Sequence, residues 1–255
     1  MTQNDLFLQW LSEEQAAYIH GWDFSHIQDR YEECQSLPWD YGQAVHDLLR
    51  PTHRILDMDT GGGEFLLSLG HSHSLTAATE GYPPNIALCR KVLLPLGIDF
   101  RGADGGGPLP FPDESFDLVL NRHGDYLPSE ILRVLKPGGI FVTQQVGAEN
   151  DRDLVELLLN PAPPLPFPEQ YLDIARKKLE FLGLRILEAQ ESFQPIRFWD
   201  TGALVWFARI IAWEFPGFSV EACREQLLNA QALLERDGVI QGTAHRYFLV
   251  AEKVE

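Results

Sequence analysis

Positive charge is scarce in this sequence: 20 Lys and Arg stand against 37 Asp and Glu, a formal net charge of −17 over 255 residues. Affinity for nucleic acid or an anionic membrane draws on clustered Lys and Arg that neutralise phosphates, so a surface this acidic repels polyanions unless a local basic stripe offsets it. The sequence contains no such stripe, and neither nucleic acid nor membrane is an expected partner. Cysteine is also rare. Cys34, Cys89 and Cys223 are far apart and form no C-x-x-C, which argues against a disulfide framework or a thiolate zinc site and for core thiols in a reducing compartment; no metal site is expected. No apolar run approaches the ~20 residues that span a bilayer. The most apolar stretch, residues 203–213, is broken by Arg209, and the first five residues lack a basic signal-peptide region, so the expected location is cytoplasmic.

With 45% hydrophobic and 22% charged residues, the composition is that of a globular chain, long enough for one large α/β domain or a core domain with additions. From about residue 53 to 146, short apolar runs alternate with helical segments, the pattern of a parallel sheet wound with helices. Strands are expected at 54–59, 74–80, 98–104, 116–121 and 139–146, and two more at 184–189 and 245–252. Proline and glycine punctuate the helices between them: Pro83-Pro84 opens one that Pro95 and Gly97 close, and Pro128 opens another that ends at Lys136-Pro137-Gly138-Gly139. Five prolines within residues 161–168 predict a stiff loop, followed by a helix at about 169–182. Helical character returns at about 200–215 and 219–236.

All six tryptophans lie outside residues 40–198, so the wound sheet is expected to use none. Trp199, Trp206 and Trp213 recur every seven residues, near one face if the stretch is helical. Residues 1–46 are therefore read as an N-terminal helical cap segment and 47–255 as the main domain with a helical insertion at about 199–240. The Trp-bearing segments are expected to pack together as an accessory layer over the C-terminal edge of the sheet. Simple burial of aromatics in the core is the alternative.

The most informative run is Asp57-Met58-Asp59-Thr60-Gly61-Gly62-Gly63-Glu64, where a hydrophobic strand turns into a glycine-rich loop and a helix begins. Glycine there permits positive φ and close backbone approach to a ligand. A dinucleotide fingerprint is incomplete, because Leu66 stands where the third glycine belongs, and the Gly-Lys-Ser/Thr of a phosphate loop is absent. Acidic residues instead end three successive strands: Asp57, Glu80 and Asp104. They would repel a pyrophosphate and suit a cationic ligand or one rich in hydroxyl and amine donors.

Asp57 to Gly63, Glu80, Asp104, the run Leu109-Pro110-Phe111-Pro112-Asp113-Glu114-Ser115-Phe116-Asp117-Leu118-Val119, and Leu135-Lys136-Pro137-Gly138-Gly139 together resemble the successive motifs of class I S-adenosylmethionine-dependent methyltransferases, in their small-molecule, type 11 branch. The resemblance covers about residues 45–150. It implies an α/β, Rossmann-like, doubly wound seven-stranded sheet with an antiparallel last strand, to which the chain's own pattern adds the helical accessory segments. It also implies that S-adenosyl-L-methionine is the cofactor, with Gly61 and Gly63 flanking its methionine part, Asp57 at its amino end, Glu80 on the ribose hydroxyls and Asp104 on the adenine amine. Asn121 is grouped with these cofactor-facing residues. A purely structural strand-end role for Glu80 or Asp104 is the alternative. Two departures stand out: Asp59 occupies a usual glycine position, where it is counted among the cofactor-binding residues through a direct contact of its carboxylate with the cofactor amine or else makes the backbone less permissive, and Gly105-Gly106-Gly107 lengthens the loop after Asp104 by about one residue.

Methyl transfer from a sulfonium is an in-line displacement in which orientation is worth ~7–11 kcal/mol. The end of the fourth sheet strand carries Asn121-Arg122-His123, where a histidine titrating near neutrality could take a substrate proton and Arg122 could clamp a carboxylate. Hydrogen-bonded scaffolding is the other reading of that pair. Gln144 and Gln145 are plausible polar contacts, and Tyr18, His20 and Trp22 are weaker candidates. A small-molecule methyltransferase is the leading expectation, ahead of an RNA or protein methyltransferase and a non-catalytic cofactor-binding protein of the same fold. Oligomeric state is not legible.

Overall fold

A computed structural model describes residues 2–18, 23–34 and 36–254. Strands run at Tyr31–Glu33 (β1), Ile55–Met58 (β2), Thr76–Glu80 (β3), Asp99–Gly102 (β4), Phe116–Arg122 (β5), Leu135–Val146 (β6), Leu184–Phe198 (β7) and Ile240–Lys253 (β8). The helices are Gln3–Ala16 (α1), Tyr41–Leu48 (α2), Glu64–Ser68 (α3), Pro83–Val92 (α4), Pro128–Val134 (α5), Arg152–Leu158 (α6), Leu172–Phe181 (α7), Thr201–Ile210 (α8) and Arg224–Asp237 (α9). Strand order is β1-β7-β8-β6-β5-β2-β3-β4. β2 pairs in parallel with β3 and β5, β3 with β4, and β5 with β6, whereas β8 lies antiparallel to β6. Seven of these strands answer the expected α/β, doubly wound sheet with its antiparallel last strand. The eighth, β1, pairs with residues 196–198 of β7.

The chain divides into two compact units. One comprises Pro38–Gly147, Glu169–Glu191 and Arg246–Glu255. Its central strand β2 is buried at every position, and β5 nearly so, as is usual for strands covered by helices on both faces. Leu56, Phe116, Val119, Ile131, Val134, Phe141 and Leu249 lie in one core, each contributing on the order of 1.5–3 kcal/mol.

The other unit comprises Met1–Leu37, Ala148–Pro168 and Ser192–His245. Trp10 of α1 and Trp206 of α8 share its core with Ile27, Leu154, Phe198 and Phe215, so the N-terminal segment and the insertion pack together. α1 starts at a capping box in which Thr2 Oγ1 accepts from Asp5 N and Asp5 accepts from Thr2 N. The expected seven-residue tryptophan stripe does not form. α8 begins after its N-cap Asp200 and ends at Ile210, so only Trp206 is helical and buried, while Trp199 and Trp213 are about half exposed. Trp39 corrects the expectation that the sheet uses no tryptophan: it stacks on Phe248 of β8 with ring centroids 5.8 Å apart. Cys89 and Cys223 are buried, but Cys34 is only partly so.

Candidate functional site

The loops that follow β2, β3, β4 and β5 at their C-terminal ends carry the predicted residues. After β2 the chain turns at Thr60: its N–H donates to Thr79 O of β3 at 3.0 Å, and Gly63 N donates back to Thr60 O at 3.0 Å. Gly61 and Gly63 both take positive φ, 64° and 88°, which glycine tolerates and which lets α3 start abruptly. Cys89 of α4 pins this loop from below, its thiol donating to Gly61 O at 3.1 Å.

Glu80, at the end of β3, is buried and accepts from Gly61 N and Tyr82 N, each at 2.8 Å, so one carboxylate ties the β2 loop to the start of α4. Asp57, also buried, accepts from Thr60 Oγ1 at 2.6 Å; desolvation pushes its pKa up to about 6. Asp59 stands at φ 51°, a left-handed conformation that Asp tolerates better than most residues. Desolvation, then the negative charges of Glu80, Asp104 and Asp125, push its pKa up to about 7, opposed by a hydrogen bond from the Gly105 backbone. A Cβ built on Gly124 would lie 2.4 Å from Asp59 Oδ2, and one on Gly105 would lie 2.7 Å from it and 2.1 Å from Asp125 O. The two bare glycines therefore let the loops after β4 and β5 close around this side chain. Asp104 is exposed and accepts from Gly106 N at 2.9 Å. Asp125 joins the carboxylates although the sequence reading passed over it. Its only signal was a Gly124-Asp125 turn after β5.

The residues at the end of β5 divide. Asn121 is fully buried; its Oδ1 accepts from Thr143 Oγ1 at 3.2 Å and from Gln145 Nε2, while its Nδ2 has no partner among the described residues. Arg122 lies over Phe65, 4.9 Å from the ring centroid, and over Tyr41 at 5.7 Å, a cation–π seat with its charge toward Asp57. His123 turns out of the strand at φ 63° and hydrogen-bonds Gln144 at 2.9 Å. Here the structure corrects the expectation of an imidazole titrating near neutrality. The residue is exposed, yet desolvation, with Arg246 and Arg122, pushes its pKa down to about 3. It is neutral at physiological pH and a weak base. Tyr18 is exposed, and His20 and Trp22 lie outside the described residues.

S-adenosylmethionine, a sulfonium cation bearing an ammonium group, fits this donor set. Asp57 and Asp59 have raised pKa values, the neighbouring cation Arg122 is seated on aromatic rings, and among the described residues buried Thr79 Oγ1 and Asn121 Nδ2 have no hydrogen-bond partner. A ligand cation would relieve the repulsion.

Comparison with known proteins points the same way. Residues 56–143 match the family model described as a methyltransferase domain. A phthiotriol/phenolphthiotriol dimycocerosates methyltransferase of Mycobacterium tuberculosis is 33% identical over 113 residues, 37% of this chain and 42% of that protein. A 2-methyl-6-phytyl-1,4-hydroquinone methyltransferase of Synechocystis is 30% identical over 117 residues, 42% of this chain and 36% of that one. The chain thus spans less than half the length of these curated relatives. The fold is shared with a crystal structure of a Bacillus halodurans protein described as a methyltransferase, TM-score 0.58 at 18% identity over 85% of this chain and 99% of that one. A Deinococcus radiodurans protein of unknown function aligns with TM-score 0.60 at 16% identity over 96% and 97%. The family match lies on β2 to β6, so the part of the chain that is similar to a methyltransferase domain is the part whose strand ends and loops carry the candidate site.

Proposed function

We propose that this protein binds S-adenosylmethionine in the carboxylate-lined crevice and transfers its methyl group to a small-molecule acceptor by in-line displacement. The observation that carries the reading is the convergence of Asp57, Asp59, Glu80 and Asp125 at strand ends and loops inside the matched domain, with desolvation first, and neighbouring carboxylates after it, raising Asp57 and Asp59 to about 6 and 7. The cofactor, when bound, supplies an electrophilic methyl on sulfur. Glu80, preorganised by two backbone N–H groups, would take the ribose hydroxyls, and Asp104 on its exposed loop the adenine amine. Asp57 and Asp59 would face the cationic end, with Gly61 and Gly63 leaving room for it and Asn121 Nδ2 available beneath. Arg122, held on Phe65 and Tyr41, would shape the wall beside Asp57 rather than clamp a carboxylate.

The names of the relatives, which include a demethylmenaquinone methyltransferase, favour an acceptor with a hydroxyl or quinoid group on an apolar body. No helix among the described residues is long and apolar enough to cross a membrane. A second reading, a cofactor-binding protein without turnover, draws on Asp59, whose side chain fills space against Gly105 and Gly124. Titration calorimetry with S-adenosylmethionine tests both. Binding that Glu80→Ala weakens by ~1.5–3 kcal/mol is expected, from the loss of charge-assisted hydrogen bonds. No heat at millimolar cofactor would sink both readings, and binding without methylation of any hydroquinone or phenol in a metabolite screen would favour the second.

A further inference from the structure

Three side chains from distant parts of the sequence form a hydrogen-bonded line. The indole Nε1–H of Trp39 donates to Gln144 Oε1 at 2.7 Å, and Gln144 Nε2 lies 2.9 Å from Nε2 of His123. An indole N–H is only a donor, so the amide atom facing it must be the oxygen. The other end of the amide is then NH2, also only a donor, and His123 Nε2 must accept from it. Gln144 is buried on β6, and Trp39 is held by its stacking on Phe248, so neither partner is free to turn.

We propose that Trp39 and Gln144 are positioning residues that lock His123 in its Nδ1–H tautomer, so that the ring offers a neutral N–H donor, rather than a basic lone pair, to an oxygen of the methyl acceptor. The ligand half of this inference rests on the methyl-transfer reading; the tautomer rests on the hydrogen-bond line alone. Nδ1 has no hydrogen-bond partner among the described residues, and the residue is solvent-accessible. The charged groups acting on the ring are Arg122 of its own strand and Arg246 of β8. Both oppose a second proton, and protonating Nε2 would set two donors face to face.

A donor that stays neutral cannot remove the acceptor's proton, but it stabilises charge on an oxygen that has already lost it. That suits an acidic hydroxyl, a phenol or enol, whose proton leaves to water before transfer. The oxygen then bonds to the methyl carbon as the carbon–sulfur bond breaks, and a neutral methyl ether and a neutral thioether result.

Long-range proton–nitrogen correlation spectra of the full chain labelled with 15N-histidine test the proposal. Wild type should show His123 protonated at Nδ1 with a lone pair at Nε2, unchanged between about pH 5 and 8. Trp39→Phe frees the amide to rotate and should raise the Nε2–H share at least about fivefold, whereas a merely structural role for Trp39 would lower stability and leave the tautomer ratio alone. Gln144→Glu supplies a carboxylate acceptor and should raise the proton affinity of the ring at least about a hundredfold. Should Trp39→Phe fail to fold, wild type and Gln144→Glu decide. A wild-type ring protonated mainly at Nε2, or titrating near the ordinary ~6.5, overturns the proposal. These spectra need no cofactor, so their failure is separate from a failure to bind S-adenosylmethionine.

Discussion

Asp59→Asn removes one charge from the carboxylate cluster while keeping the shape and an oxygen to accept from the Gly105 backbone. Asp59 has its pKa raised from 3.8 to about 7, so the folded chain holds a proton there that the unfolded chain releases. The contribution of such a group to stability is present below pH 3.8 and is lost as pH rises through about 7. Taken whole, the shift corresponds to about 4 kcal/mol. Asp59 is only partly buried, and solvent screening reduces this to about 1–2 kcal/mol. Asp59→Asn should therefore be more stable than wild type by about 1–2 kcal/mol at pH 8.5, with the gap smaller by about 1 kcal/mol at pH 5.5. Urea midpoints at pH 5.5, 7 and 8.5 measure it. Excess S-adenosylmethionine should narrow the gap, because its positive charge favours the ionised carboxylate. A gap independent of pH, or one that closes as pH rises, would refute the electrostatic account of the crevice.

Gly105→Ala sets a Cβ 2.1 Å from the Asp125 backbone oxygen, which cannot move aside as a flexible side chain could, so thermal unfolding should register a loss of about 1–3 kcal/mol and calorimetry a weaker cofactor. Trp206→Ala empties the centre of the core shared by α1 and α8, where Trp206 is 1% exposed; a loss of about 3–5 kcal/mol in denaturant unfolding is expected.

The wound sheet was legible because its rules are local. Residues 54–59 read as a strand because a short apolar run, Ile55-Leu56, ends in polar residues and a glycine-rich turn before a helix, and observed β2 lies inside that range. Glycine and proline set the helix ends: Pro83 does start α4, and Gly97 at φ 86° closes the turn after it. Where context decides, local rules fail. β7 runs on through Pro195 to Phe198, well past the expected end at residue 189. Its missing N–H is tolerated because the strand continues toward an edge, where the Pro195 carbonyl accepts from Cys34 N at 3.1 Å. The seven-residue tryptophan spacing suggested one helical face, but Asp200 caps α8 after Trp199 and the helix stops before Trp213.

The candidate site shows the same divide between what neighbours in sequence fix and what the fold fixes. Asp57, Gly61 and Gly63 stand in one turn, so their proximity follows from seven residues of sequence. Glu80 lies 19 residues from Gly61, and only the β2–β3 pairing brings its carboxylate to that N–H. Trp39 lies 105 residues from Gln144, and nothing local says that an indole will face that amide. Yet it is the indole, by having no acceptor, that dictates which way the amide points and which nitrogen of His123 carries the proton. A histidine at a strand end was visible in the sequence, but its protonation was set by a residue read as belonging to a different layer. Chemical character at this site is thus less local than residue identity, and a change at Trp39 should alter the chemistry offered by His123 without touching it.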